Sequence, residues 1–208
     1  MQHEDFSLDN GIRLGDWFQT YPKGIRFWPL DPKPEEIFIE DIACSLSNIC
    51  RFTGHVKHFL SVGQHSLTVS KLCSHKNALA GLMHDAAEAY VNDVSRPVKP
   101  FLNNFKEIED NILEVIFNKY NIEWPITDEI HMIDRKLCIT EARDLDHDIT
   151  QWGDYKKIYT DKNGTFTILN GHVPEITYEF KIEPIGPGES APLFINRFNK
   201  LMEIKNEN

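Results

Sequence analysis

The sequence predicts an all-α fold, a helical bundle with a small β-hairpin near the C-terminus. Three observations carry this. Apolar residues recur at three- and four-residue spacing over six stretches, the pattern of helices with one buried face. β-rich runs bounded by a turn occur near the C-terminus, at Thr165–Leu169 and Ile176–Ile182. Neither an internal repeat nor a polar linker divides the chain, so residues 1–208 are expected to share one core.

Residues 1–38 read as mostly irregular, with short strands at Ile12–Leu14 and Ile25–Phe27 around the Tyr21-Pro22-Lys23-Gly24 turn. Ile39, Ile42, Ala43 and Leu46 predict a helix over 39–48, and the mixed run 49–60 predicts a loop. Ser61 with Gln64 reads as a capping box opening a helix over 62–74, in which Val62, His65, Ser66 and Val69 share a face. Asn77 is the expected cap of a helix over 77–91, stopped by polar residues, Pro97 and Pro100. Phe105, Ile108, Ile112, Val115 and Ile116 give a helix over 104–120. Ile126, Ile130, Ile133, Leu137 and Ala142 give one over 126–147. Asp161–Gly164 is a turn for the hairpin, and Leu193, Phe194, Phe198 and Leu201 mark a last helix over 191–204. The hairpin and this helix together occupy about 160–205.

A net charge of −10 argues against binding long nucleic acid, which needs a basic surface. It leaves room for a small anionic substrate, because a metal and a few cations can invert the field locally. Cys44, Cys50, Cys73 and Cys138 lack CxxC spacing and are expected to be reduced, mostly buried thiols of a cytoplasmic protein. No apolar run is long enough to span a bilayer, so no membrane partner is expected.

Within the helix over 77–91, His84, Asp85 and Glu88 interrupt an apolar, Ala-rich run. Burying an ionised Asp is costly unless it is paired or bound to a metal. Helical spacing puts Glu88 one turn beyond His84 and Asp85, on the same side. His65 and Asp134 likewise lie on or beside apolar faces. One such His alone is more often a hydrogen-bonded core residue than a ligand. Two His and two Asp on three helices form a candidate ligand set, and imidazole with carboxylate suits a divalent ion such as Mn²⁺, Co²⁺ or Mg²⁺.

The order and spacing are more specific still. His65 is followed 19 residues later by His84-Asp85, and Asp134 comes about 50 residues further on. This H…HD…D arrangement resembles the HD-domain metal-dependent phosphohydrolases, all-helical bundles that bind a divalent metal. Gln64-His65-Ser66, then His84-Asp85-Ala86-Ala87-Glu88, Asp93 and Pro97-Val98-Lys99, look like the branch containing bacterial 5′-deoxynucleotidases. Phe27-Trp28-Pro29-Leu30-Asp31-Pro32 is more similar to phage and bacterial HD phosphohydrolases, some related to deoxynucleoside triphosphate hydrolases. The resemblance covers about 39–147. It implies that His65, His84, Asp85 and Asp134 hold the metal, that Glu88 and Asp93 handle protons, and that Arg51 contacts the phosphate. Phe52 stands where the nucleotidase branch often has Trp against the sugar, and Gln64 where an acid is common. Relatives in this branch are often homodimers, which implies a homo-oligomer.

The chemistry is coherent on its own terms. A metal can activate water, and Arg51 with Lys99 can neutralise phosphate charge. Glu88 can orient or deprotonate the water and Asp93 can protonate the leaving oxygen, which calls for a raised pKa at Asp93. Trp28 and Phe52 read as core or pocket-wall aromatics, with base stacking as the sharper alternative. The expected function is metal-dependent hydrolysis of (deoxy)nucleoside monophosphates. Release of triphosphate from deoxynucleoside triphosphates and a non-catalytic nucleotide-binding module stay open beside it.

Overall fold

The computed structural model describes residues 13–149, 158–161, 164–167 and 177–207. It is mostly helical with small two-stranded sheets, as the periodicity predicts. Helix α1 (Ile39–Asn48) has the expected bounds and buries Ile42, Ala43 and Leu46. Helix α2 (Val62–Leu72) starts at Ser61, whose Oγ accepts from Gln64 N at 3.0 Å. Only this half of the expected capping box forms. The Gln64 amide turns away, donating from Nε2 to Glu183 O at 2.7 Å and accepting at Oε1 from Ile185 N at 2.9 Å. It thereby ties the segment before the last helix to α2.

The expected helix over 77–91 is broken in two. Helix α3 (Ala78–Met83) and the short α4 (Glu88–Val91) flank a tight turn over 84–87. There the backbone bonds reach back three residues, from Ala86 N to Met83 O and from Glu88 N to Asp85 O, each 3.0 Å. His84 Nδ1 lies 2.9 Å from Gly81 O, the carbonyl that a continuing α-helix would offer to Asp85 N–H. Asn77 does not cap α3, because its amide is bonded to Glu129 instead.

Helix α5 (Phe105–Lys119) buries Ile112, Leu113, Ile116 and Phe117. Helix α6 (Asp128–Asp144) is shorter than expected and buries Ile130, Ile133, Leu137 and, unusually, Glu141. Helix α7 (Pro187–Glu207) begins earlier than expected, proline being well suited to a first helical position. It buries Phe194, Phe198 and Leu201 but leaves Leu193 exposed. α7 lies across α1, α2 and α3, and α2 also meets α6, so α2 is the central helix.

The sheets differ in register from the expectation. Strand β1 (Phe18–Gln19) pairs antiparallel with β2 (Arg26–Phe27), so the first described strand falls at 18–19; Arg13 and Leu14 are not in a strand, and Ile12 lies outside the described residues. The pairing sets Phe18 opposite Phe27 with ring centroids 5.8 Å apart. Asp41 of α1 holds the ribbon by accepting from Thr20 Oγ1 at 2.7 Å and Lys23 N at 2.8 Å. In the C-terminal hairpin β3 (Ile158–Asp161) pairs with β4 (Gly164–Thr167). The partner of the 165–167 run is thus the preceding segment. Residues 177–182 form no strand, because α6 satisfies their backbone. Arg143 donates to Tyr178 O and Phe180 O at 2.8 and 2.9 Å, and Asp144 accepts from Ile182 N at 2.7 Å. Residues 168–176 of the expected strands lie outside the described residues.

All four cysteines are free and only partly buried, which corrects the expectation of mostly buried thiols. No helix among the described residues is long and apolar enough to cross a membrane.

Gly63 sits where three helices converge. A Cβ there would lie 2.8 Å from Ser47 Oγ on α1, 3.1 Å from Ser190 Oγ on α7 and 3.2 Å from the Ser47 backbone nitrogen. Gly63→Ala is therefore expected to destabilise the fold by about 1–3 kcal/mol, the usual scale of overpacking. Urea denaturation measures it. A neutral or stabilising result would mean that α1 and α7 can move apart at little cost.

Candidate metal centre

The centre is built from the middle of α2, the turn after α3 and the middle of α6. His65 is fully buried on α2. His84 and Asp85 stand in the tight turn, and Asp134 projects from α6. One ligand atom each from His65, His84 and Asp134 fall within 4.8 Å of one another. Asp85 Oδ2 lies 3.2 Å from His84 Nε2 and 3.8 Å from His65 Nε2, so the fourth sequence-predicted ligand is at the same place. His84 and Asp85 reach this point from adjacent positions of the tight turn.

Both imidazoles are oriented through their other nitrogen. His65 Nδ1 is 2.8 Å from Glu141 Oε1, and His84 Nδ1 is 2.9 Å from Gly81 O. A carboxylate and a carbonyl can only accept, so in the neutral rings the proton sits on Nδ1 and the Nε2 lone pair faces the cluster. Both Nε2 atoms are buried without a hydrogen bond among the described residues. His65 Nε2 comes within 3.1 Å of Asp134 Oδ1 and 3.8 Å of Asp85 Oδ2. That is the arrangement of two ligands aimed at a shared point. Orientation of a ligand histidine by a carboxylate or carbonyl is the usual support of a metal site, and these residues fit a divalent cation.

The electrostatics agree. Burial and the Arg51 guanidinium work to lower the His65 pKa, but Glu141 and Asp134 prevail and push it up to about 9. Burial would raise the Asp85 carboxyl, but His84 and His65 bring it down to about 2. Asp134 is likewise held well below the usual carboxylate range, with burial opposed first by His65. The field that favours a proton on His65 equally favours a metal cation.

Glu88 is buried at the start of α4, and its Oε2 has no hydrogen-bond partner. Burial, then Asp85 and Asp93, raise its pKa well above the usual range. Asp93 is also raised, chiefly by burial. Lys99 Nζ lies between Glu109 at 2.9 Å and Glu88 at 3.5 Å, so its ammonium is engaged by two carboxylates.

Three residues expected at the substrate make contacts within the protein. Arg51 points inward, where its Nε donates to Glu141 Oε2 at 2.9 Å, because a buried carboxylate takes it. Phe52 lies partly buried beside His147, with ring centroids 5.0 Å apart. Phe52 and Thr53 both have φ of 56°, a left-handed conformation disfavoured for such side chains. Trp28 packs on Trp17 at 6.2 Å and under the Arg13 guanidinium at 4.1 Å, so the N-terminal segment employs it as a packing residue.

Sequence reasoning missed Glu141. The available signal was its position two helical turns after Asp134, on the same face of α6. Glu141 bridges Arg51 and His65 in the interior. Glu141→Ala is expected to cost about 3–5 kcal/mol in denaturant unfolding, because it leaves the Arg51 charge buried alone. Glu141→Gln is expected to fold and to bind metal roughly 10–100 times more weakly by titration, as for other losses of an orienting partner. Metal affinity unaffected by Glu141→Gln would deny Glu141 that orienting role.

No family model matches the chain. An uncharacterized protein of Rhodobacter capsulatus is 32% identical over 115 residues, spanning 50% of this chain and 59% of that protein. The uncharacterized protein YfdR of Escherichia coli K12 is 37% identical over 171 residues, 82% of this chain and 88% of YfdR. At that identity and coverage, the chain belongs to the same family as YfdR.

Proposed function

We propose that the protein is an HD-domain metal-dependent phosphohydrolase whose substrates are nucleotides, in the first place (deoxy)nucleoside monophosphates. The observation that carries this reading is the convergence of His65, His84 and Asp134 within 4.8 Å, with both Nε2 atoms facing the cluster and Asp85 beside them. A divalent cation held by His65, His84, Asp85 and Asp134 would supply charge neutralisation for a phosphate and make water more acidic.

The remaining steps fall to the protein's own groups. Glu88, buried and with one unpartnered oxygen, can hold water by a hydrogen bond and accept its proton. Burial, Asp85 and Asp93 hold Glu88 towards its protonated form, and Lys99 at 3.5 Å opposes them in favour of the ionised form that this step needs. Asp93 needs to be protonated to deliver a proton to the leaving oxygen, and its raised pKa supports that role. Two carboxyls displaced upward near a cation site suit acid and base duties better than metal storage.

The test is incubation with dAMP and with dATP in Mn²⁺, Co²⁺ or Mg²⁺. Orthophosphate from dAMP is the expected product, abolished by chelator and restored by metal. Triphosphate from dATP would instead mark the triphosphohydrolase alternative. His84→Ala and Asp134→Ala are expected to lower kcat at least about a thousandfold, on the scale of several kcal/mol of lost charge stabilisation. Product from neither nucleotide with any of the three metals would sink the proposal.

A further inference from the structure

The cluster is rich in carboxylates, and an anionic substrate approaching it needs cations that are not already spent. Arg51 is buried and bonded to Glu141. Lys99 is held between Glu88 and Glu109. Arg96 differs from both. It follows Ser95 in the turn between α4 and α5, where Val98 N and Lys99 N both donate to Ser95 O at 2.9 and 3.2 Å. Its Nη2 lies 4.0 Å from Asp134 Oδ2, on the far oxygen from the one that faces His65. Its side chain remains 53% exposed, and that ion pair is a long one. Arg96 therefore stands at the rim of the cluster with its fork of donors still available, the geometry suited to two phosphate oxygens.

We propose that Arg96 is a substrate-binding residue that takes the phosphate at this site, beside the more deeply buried Arg51, whose Nε is bonded to Glu141. This rests on the phosphohydrolase reading. A guanidinium here selects phosphomonoesters, whose dianionic group offers two oxygens to the fork, over nucleosides lacking a phosphate.

The experiment compares wild type, Arg96→Ala and Arg96→Lys in the metal-loaded protein. Loss of one charge-assisted contact should raise KM for dAMP and the calorimetric Kd for inorganic phosphate by roughly 10–100-fold. Arg96→Lys should recover part of the loss. Metal affinity should stay the same or tighten, since a cation beside Asp134 is removed. Weaker metal binding or a lower Tm in Arg96→Ala would identify a structural role at Asp134 and overturn the proposal. Wild type that hydrolyses no nucleotide would defeat the phosphohydrolase reading. The phosphate titration still decides on Arg96 in that event: weaker binding by Arg96→Ala supports it, and equal binding, or none by wild type, overturns it.

Discussion

The buried chain Arg51–Glu141–His65 is the constraint on which the rest of the centre depends. Glu141 accepts from Arg51 Nε on one oxygen and meets His65 Nδ1 on the other. An unpaired carboxylate at this depth would cost several kcal/mol. Its two partners come from separate elements, the segment after α1 and the middle of α2. One acid on α6 thus fixes where three parts of the chain meet. It also decides the His65 tautomer, and with it the direction of the only remaining ring lone pair. Packing and ligand orientation are consequently one problem here.

The second half of the centre solves the same problem differently. His84 has no carboxylate behind it but uses Gly81 O, a backbone carbonyl one turn earlier. That bond comes with the interruption of the helix between α3 and α4. In a regular helix neighbouring side chains diverge by roughly 100°. In the tight turn over 84–87, His84 Nε2 and Asp85 Oδ2 nonetheless approach to 3.2 Å. It also begins α4 at Glu88, so the carboxyl with the raised pKa is set beside the ligands while remaining buried.

The helices were legible because each has one apolar face whose spacing survives any tertiary detail. α1 coincides with its expected range, and α2 and α5 nearly do. The failures have specific causes. The break after Met83 depends on a side chain competing with the backbone, which periodicity does not register. Residues 177–182 have strand-like composition, but Arg143 and Asp144 satisfy their backbone groups first. His65, His84, Asp85 and Asp134 were legible as a candidate cluster because polar residues on apolar faces need an explanation. Glu141 violates the same rule and lies on the same face as Asp134. It escaped notice because a lone acid near a helix end reads as solvent-facing.

The overall charge sharpens the question of how an anion would be admitted. A chain with net charge −10 repels phosphates at long range, and screening removes most of that beyond roughly 8–10 Å. Selectivity must therefore reside in the last few ångströms. There the carboxylates are already committed: Glu141 to Arg51 and His65, Glu88 partly to Lys99, and Asp85 and Asp134 to the imidazoles. A divalent cation would add two positive charges to this nearly balanced set, and Arg96 a third at its open side. The local field would then be positive only when the metal is bound. Metal loading would itself be the condition for admitting a phosphate, so the ion-free centre would neither bind nor turn over an anionic substrate.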